Sequence, residues 1–232
     1  MTDNTYDPEG GHTREEAEVA YAELFRELHG EDAGGPIPET RGKVAVVGRR
    51  PPDTDSVCAA IAYARLKNET DASWEYTPYL AGAINAETVY VLKLFGAQAP
   101  LMLDTGDCAK IILVDHNAPG QMAEGIDSAD VLEILDHHRL EGPETAAPVW
   151  VICRPCGAAC TIVFDMFGEN GITPDGQIAG LMCAAILSDT EFFNAETTTR
   201  ADRLACAALA NIAALDLEEL TAALMDFQRP EL

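Results

Sequence analysis

From residue 43 onward, short β-branched runs alternate with longer segments whose apolar residues recur at helical spacing. Five runs read as strands: Val44 to Val47, WEYTPYLAG at 74–82, KIILV with 111–114 at its core, VLEIL at 131–135, and VWVIC at 149–153. Helical segments lie between and after them. The first runs from Ser56 to Leu66, and the second is NAETVYVLKLFG at 85–96, with Asn85 as its cap and Gly96 as its stop. Four more follow, at about 157–167, at PDGQIAGLMCAAIL (174–187), at TRADRLACAALANIAAL (199–215) and at DLEELTAALMDF (216–227). Strands that alternate with helices predict an α/β domain, a five-stranded parallel sheet with helices on both faces.

Residues 1–41 differ in composition, with eleven acidic residues against three arginines. Ala17, Tyr21, Leu24 and Leu28 share one helical stripe ended by Gly30, and EDAGGPIPETRG follows as a linker. The expected organisation is an acidic extension with one amphipathic helix at 1–41 and an α/β domain at 42–228. His12 and His29, in the extension, read as solvated.

The 232 residues are 47% hydrophobic, enough for a sizeable core. No run spans a bilayer and no basic-then-apolar leader opens the chain, so the expected location is cytoplasmic. The net charge of −24 excludes a nucleic-acid duplex or an anionic membrane as main partner. Seven cysteines are expected as thiols. Cys153, Cys156 and Cys160 contain a CxxC, but with no second pair they read as a strand running into a helix. Cys58, Cys183 and Cys206 sit among alanines as small core residues.

The acids at the ends of these elements change the picture. Asp53 and Asp55 follow the first strand, Asp115 follows KIILV, and Asp136, His137 and His138 follow VLEIL; Asp189 ends the apolar helix 174–187. In an open parallel sheet, ligands bind beyond the carboxyl ends of the strands. Two like charges about 4 Å apart cost roughly 4 kcal/mol at an effective dielectric near 20. Acids converging there require protons, cations or metal. Oxygen ligands joined by imidazole favour Mn²⁺, Mg²⁺, Fe²⁺ or Co²⁺.

The series PDTDS, DHN, DHHR and SDT, in this order, resembles the DHH phosphoesterase superfamily, and within it the manganese-dependent (family II) inorganic pyrophosphatases. VCAAIAYARLKN, ETAAPVW and IAGLMCAAILSDT support the likeness, which covers residues 43 to about 226. The resemblance implies a five-stranded α/β domain followed by a smaller one, with pyrophosphate hydrolysed between them by two transition-metal ions plus magnesium. It implies that Asp53 binds the first metal, Asp55 and His137 the second, and that Asp115 and Asp189 bridge both. It places His138 on the substrate phosphate, with His116 and Asn117 beside it, Asp136 in the catalytic set, and a homodimer as the assembly. A phosphodiesterase of the same superfamily, acting on short nucleotides, is a more distant reading.

Two departures qualify this. The family pattern GHxxPDTDS carries a metal-binding histidine where this chain, GRRPPDTDS, has Arg49. Arginine has no acceptor and stays protonated, so it cannot ligate metal. A dication about 4 Å away would be repelled by roughly 8 kcal/mol at an effective dielectric near 20. Either Arg49 swings to solvent and marks a chain without catalysis, or it replaces part of the first ion's charge and joins the catalytic set, leaving one metal at the second site. The other departure is the end of the chain at MDFQRPEL, about where the family's second domain, with its phosphate-gripping lysines and arginines, would begin. The expectation is weak activity unless a partner chain supplies that basic domain, or else a non-catalytic relative that binds metal or phosphate.

Overall fold

The computed structural model of the chain describes residues 42–104, 110–126 and 131–227. The amphipathic helix expected within 1–41, with His12 and His29, lies outside the described residues.

Six strands form one sheet: β1 (Lys43–Val47), β2 (Glu75–Leu80), β3 (Leu101–Met102), β4 (Lys110–Val114), β5 (Val131–Asp136) and β6 (Trp150–Cys153). Their order is β3-β2-β1-β4-β5-β6, and every neighbouring pair is parallel. The expected count of five is corrected to six. The addition is the two-residue edge strand β3, whose Leu101 and Met102 are exposed and carry no buried apolar signal. The chain reverses direction across the sheet between β1 and β4, and ligand crevices form at such switch points.

Among the described residues there are six α-helices: α1 (Thr54–Thr70), α2 (Ala86–Leu94), α3 (Ala159–Glu169), α4 (Gly176–Asp189), α5 (Arg200–Ile212) and α6 (Leu217–Met225). Side chains start several of them. Asp53 caps α1 by accepting from the Ser56 N–H at 3.0 Å, Asn85 caps α2 through Thr88 at 2.7 Å, and Asp175 caps α4 through Ile178 at 2.9 Å. Gly96, at φ +64°, takes the left-handed conformation that follows α2.

Alternation along the strands sorts the core into two layers. Val44, Val46, Ile112, Val114 and Leu135 join the buried faces of all six α-helices. Ala45, Val47, Ile111, Leu113 and Ile134 face the other way, toward Ala123, Met122 and Ile126. Among the described residues that second face carries a 3₁₀ turn (Pro119–Gln121) and loops in place of an α-helix. Helix α4 is apolar around its circumference, with Ile178 to Leu187 buried, because it packs among the other helices. Among the described residues, no helix is long and apolar enough to cross a membrane.

Candidate functional site

The acids predicted at strand ends do meet at the carboxyl edge of the sheet. One ligand atom from each of Asp55, Asp115, His137 and Asp189 lies within 4.8 Å of the other three. Four separate segments build the group: the start of α1, the ends of β4 and β5, and the last residue of α4. Asp55 and Asp115 are buried, at 1% exposure each.

Each side chain is aimed by a specific support. Asp55 accepts the Ala159 and Cys160 N–H groups at 2.6 and 3.1 Å, so the first turn of α3 grips both of its oxygens. Asp115 has φ +62°, a left-handed conformation rare outside glycine and asparagine that costs about 1–3 kcal/mol. Its backbone N–H is anchored on Leu135 O at 2.8 Å. His137 places Nδ1 3.0 Å from Cys156 O. A carbonyl only accepts, so Nδ1 carries a proton and Nε2 faces the cluster, 3.0 Å from Asp115 Oδ1 and 3.4 Å from Asp189 Oδ2.

The electrostatics follow from crowding. Burial first, then the charge of Asp55, push the Asp189 carboxyl up to about 8, against the pull of His137. Burial chiefly drives Asp115 well above the ordinary carboxylate range, outweighing the hydrogen bond from His137. It also raises Asp55, against the pull of His137. Burial works against a charged His137 ring, but the hydrogen bond to Asp115 and the charges of Asp55, Asp115 and Asp189 overcome it and lift the ring to about 10. Protons thus stand where a cation would otherwise balance the carboxylates. Asp115 Oδ2 is buried and makes no hydrogen bond. The three carboxylates of Asp55, Asp115 and Asp189, with the oriented imidazole of His137, fit a hard or borderline dication.

Arg49 does not swing to solvent. Its Nε lies 3.0 Å from Asp53 Oδ2 and 3.4 Å from Asp115 Oδ2, and its Nη2 also donates to Asp53 Oδ2. The Asp53 charge and hydrogen bond offset burial and raise the guanidinium pKa further, so it stays a cation. Asp53, expected to ligate metal, is therefore held by Arg49 on one oxygen and caps α1 with the other. Gly48, the residue before Arg49, has no room for a side chain: a Cβ there would sit 2.7 Å from the Ser56 backbone oxygen.

The second histidine is arranged differently. His138 is half-exposed, with Nδ1 2.8 Å from Asp136 Oδ1. Asp136 is buried and also takes the His137 and His138 N–H groups at 2.7 and 3.1 Å and a bond from Asn117. Those bonds overcome the effect of burial and hold its carboxyl below the usual range. Asp136 thus orients His138 and keeps its own oxygens occupied.

His116 and Asn117 sit beneath the surface, 0% and 2% exposed. Nδ1 of His116 lies 2.9 Å from Val114 O, while Asn117 Oδ1 accepts the Glu141 and Gly142 N–H groups at 2.5 and 2.9 Å. Asn117 therefore fastens the loop after β5. A hollow of about 520 Å³ beside that loop is lined by Asn117, Ala118, Gly120, Gln121, His138, Arg139 and Glu141.

Two further acids support the site. Buried Glu87 on α2 accepts from Thr54 at 2.5 Å and from Ser188, tying the start of α1 to the end of α4. Asp202 takes the Gly157 N–H and the Thr161 hydroxyl at 2.9 and 2.7 Å, fixing the turn that leads into α3. These four partners lie far away in the chain, and only the folded arrangement reveals them, although Asp202 also closes a local capping box with Thr199.

Residues 43–186 match the profile of the DHH family, N-terminal domain. Proteins named "Probable manganese-dependent inorganic pyrophosphatase" from Bacillus cereus (strain AH187) and Bacillus anthracis are each 42% identical to this chain over 179 residues, covering 76% of it and 57% of their own length. The chain thus spans little more than half of those relatives. A crystal structure from Methanococcus jannaschii, assigned to the family II inorganic pyrophosphatases, superposes with a TM-score of 0.71 at 31% identity, over 80% of this chain and 61% of its own. An exopolyphosphatase-related protein from Bacteroides fragilis shares the fold alone, at 17% identity and a TM-score of 0.62 over 90% of this chain and 61% of its own. The matched profile covers most of the described domain, including the DHN and DHHR segments that build the acidic cluster, and the chain belongs to the DHH family.

Proposed function

We propose that this domain carries the metal centre of a hydrolase that cleaves inorganic pyrophosphate into two phosphates. The observation that carries the reading is the convergence of Asp55, Asp115, His137 and Asp189 within 4.8 Å. Mn²⁺ suits the donor set, with Co²⁺ or Mg²⁺ as alternatives. A dication held there would neutralise phosphate charge and acidify a water for attack on phosphorus.

The chain's own residues do the rest. The α3 N-terminus, Cys156 O and Glu87 hold the ligands in place before any ion arrives. His138, with Nδ1 committed to Asp136, presents Nε2 to a phosphate oxygen, where it hydrogen-bonds or passes a proton to the leaving phosphate. The hollow beside it offers room for that phosphate. Asn117 and His116 act from below, through the loop and strand ends that carry His138.

Phosphoryl transfer depends mostly on positioning and charge compensation. In the described residues Arg50 and Arg139 lean on Glu124 and Glu141, so few cations point at a substrate. Full turnover is expected when basic groups from a further domain or a partner chain close over the site. Exposed Trp150 and Val151 on edge strand β6 support the expected homodimer. Phosphate release from pyrophosphate and mononucleotide release from a dinucleotide, with Mn²⁺ or Mg²⁺ and with Asp189→Asn as control, test the reading. Metal-dependent release from pyrophosphate alone supports it. Release from the dinucleotide would mean a phosphodiesterase, and release from neither would leave a metal- or phosphate-binding relative.

A further inference from the structure

We propose that the Arg49 guanidinium serves as a built-in cation beside Asp115 and reduces the centre to a single divalent ion. The inference rests on the metal-centre reading above and fixes its stoichiometry.

Asp115 faces two ways. Its Oδ1 lies 3.0 Å from His137 Nε2, on the side with four potential ligands. Its Oδ2 lies 3.4 Å from Arg49 Nε, on the side where a second ion sharing this carboxylate would sit. Arg49 offers no lone pair there, because a guanidinium only donates. Asp53, the other acid on that side, has both oxygens engaged: Oδ1 by the Ser56 N–H at 3.0 Å and Oδ2 by Arg49 Nε at 3.0 Å. Asp53 also falls outside the four residues whose ligand atoms converge. The residues on the Arg49 side therefore do not fit a metal ion, while those on the His137 side do.

Charge supports the same division. One dication and one guanidinium set three positive charges against the four carboxylates of Asp53, Asp55, Asp115 and Asp189. A second dication would have to displace or face the guanidinium. Arg49 thus contributes a positive charge that chelation cannot remove, and metal dependence becomes a one-site, hyperbolic function of ion concentration.

Metal counting tests this without relying on catalysis. Metal-free full-length protein is loaded with Mn²⁺, separated from free ion, and analysed by inorganic mass spectrometry and electron paramagnetic resonance. The wild type is expected to hold one Mn²⁺ per chain, with the resolved hyperfine lines of an isolated ion. Arg49→His is expected to hold two, with the broadened signal of coupled ions, and Arg49→Lys to stay at one. Circular dichroism checks folding; should the histidine variant fail to fold, Arg49→Gln carries the test, with a second, weaker ion expected. Two tightly held ions in the wild type would overturn the proposal, and so would a folded Arg49→His that still holds one. A wild type that binds no Mn²⁺ would instead bring down the metal-centre reading, and this inference with it.

Discussion

On one side of the Asp115 carboxylate stand an imidazole and two further acids; on the other stands a guanidinium 3.4 Å away. Both sides face the same problem, negative charge held out of water. On the Arg49 side the chain supplies the counter-charge covalently. On the His137 side it supplies only a proton-dependent charge, with Asp189 lifted to about 8 and His137 to about 10. A fixed cation makes a region complete in itself. A region completed only by an exchangeable cation is one prepared for a ligand.

Removing the shared carboxylate should break the contrast most severely. Asp115→Asn takes away the group common to both sides, and Mn²⁺ affinity measured by calorimetry is expected to fall by more than about 100-fold, beyond the range of outer-sphere changes. Glu87→Ala tests the scaffold behind the ligands. It removes the charged acceptor shared by the Thr54 and Ser188 hydroxyls, while Thr54 keeps its contact with Thr88, and should cost about 1–3 kcal/mol in urea unfolding. It should also weaken Mn²⁺ binding by about 10-fold, as loss of a ligand-orienting partner does.

The pH dependence sharpens the same comparison. Asp189 and His137 hold protons more tightly folded than unfolded, so both favour the metal-free fold at low pH. That contribution is fully present below the unfolded values. For Asp189 it is lost as pH rises through about 8, and for His137 as pH rises toward about 10. Metal-free protein should therefore lose thermal stability from pH 7 to pH 9, as followed by calorimetry. Mn²⁺ must displace those protons, so its affinity should rise over the same interval, by up to about 10-fold per pH unit for each proton released. The smallest effect belongs to the neighbouring arginine. Arg50 pairs with Glu124 at 2.6 Å, both well exposed, and Arg50→Ala should change stability by less than about 1 kcal/mol and leave the Mn²⁺ count unaltered.

Much of this arrangement was legible before folding because acids at the ends of buried strands have few reasons to be there. Strands β1, β4, β5 and β6 announced themselves through β-branched and aliphatic runs, and β2 through the aromatic residues of WEYTPYLAG. Strand β3 did not: Leu101 and Met102 are solvent-facing edge residues defined by hydrogen bonding to β2. Helix α3 begins at Ala159, two residues after the expected start, because Gly157 in the turn before it gives its N–H to Asp202. The identity of Arg49 was plain from the sequence. Its direction was not, since a long side chain can reach solvent or a carboxylate with equal ease. Glu87 lies in the first turn of a helix, where an acid suits the dipole, and nothing local betrayed partners 33 and 101 residues away.

The grip of α3 on Asp55 has a wider consequence. The aspartate that would help hold an ion is also the anchor of a helix remote in sequence, so its replacement is penalised twice, once in chemistry and once in architecture. Lineages that abandoned turnover would still be under pressure to keep it, and the acid would outlast the reaction it once served.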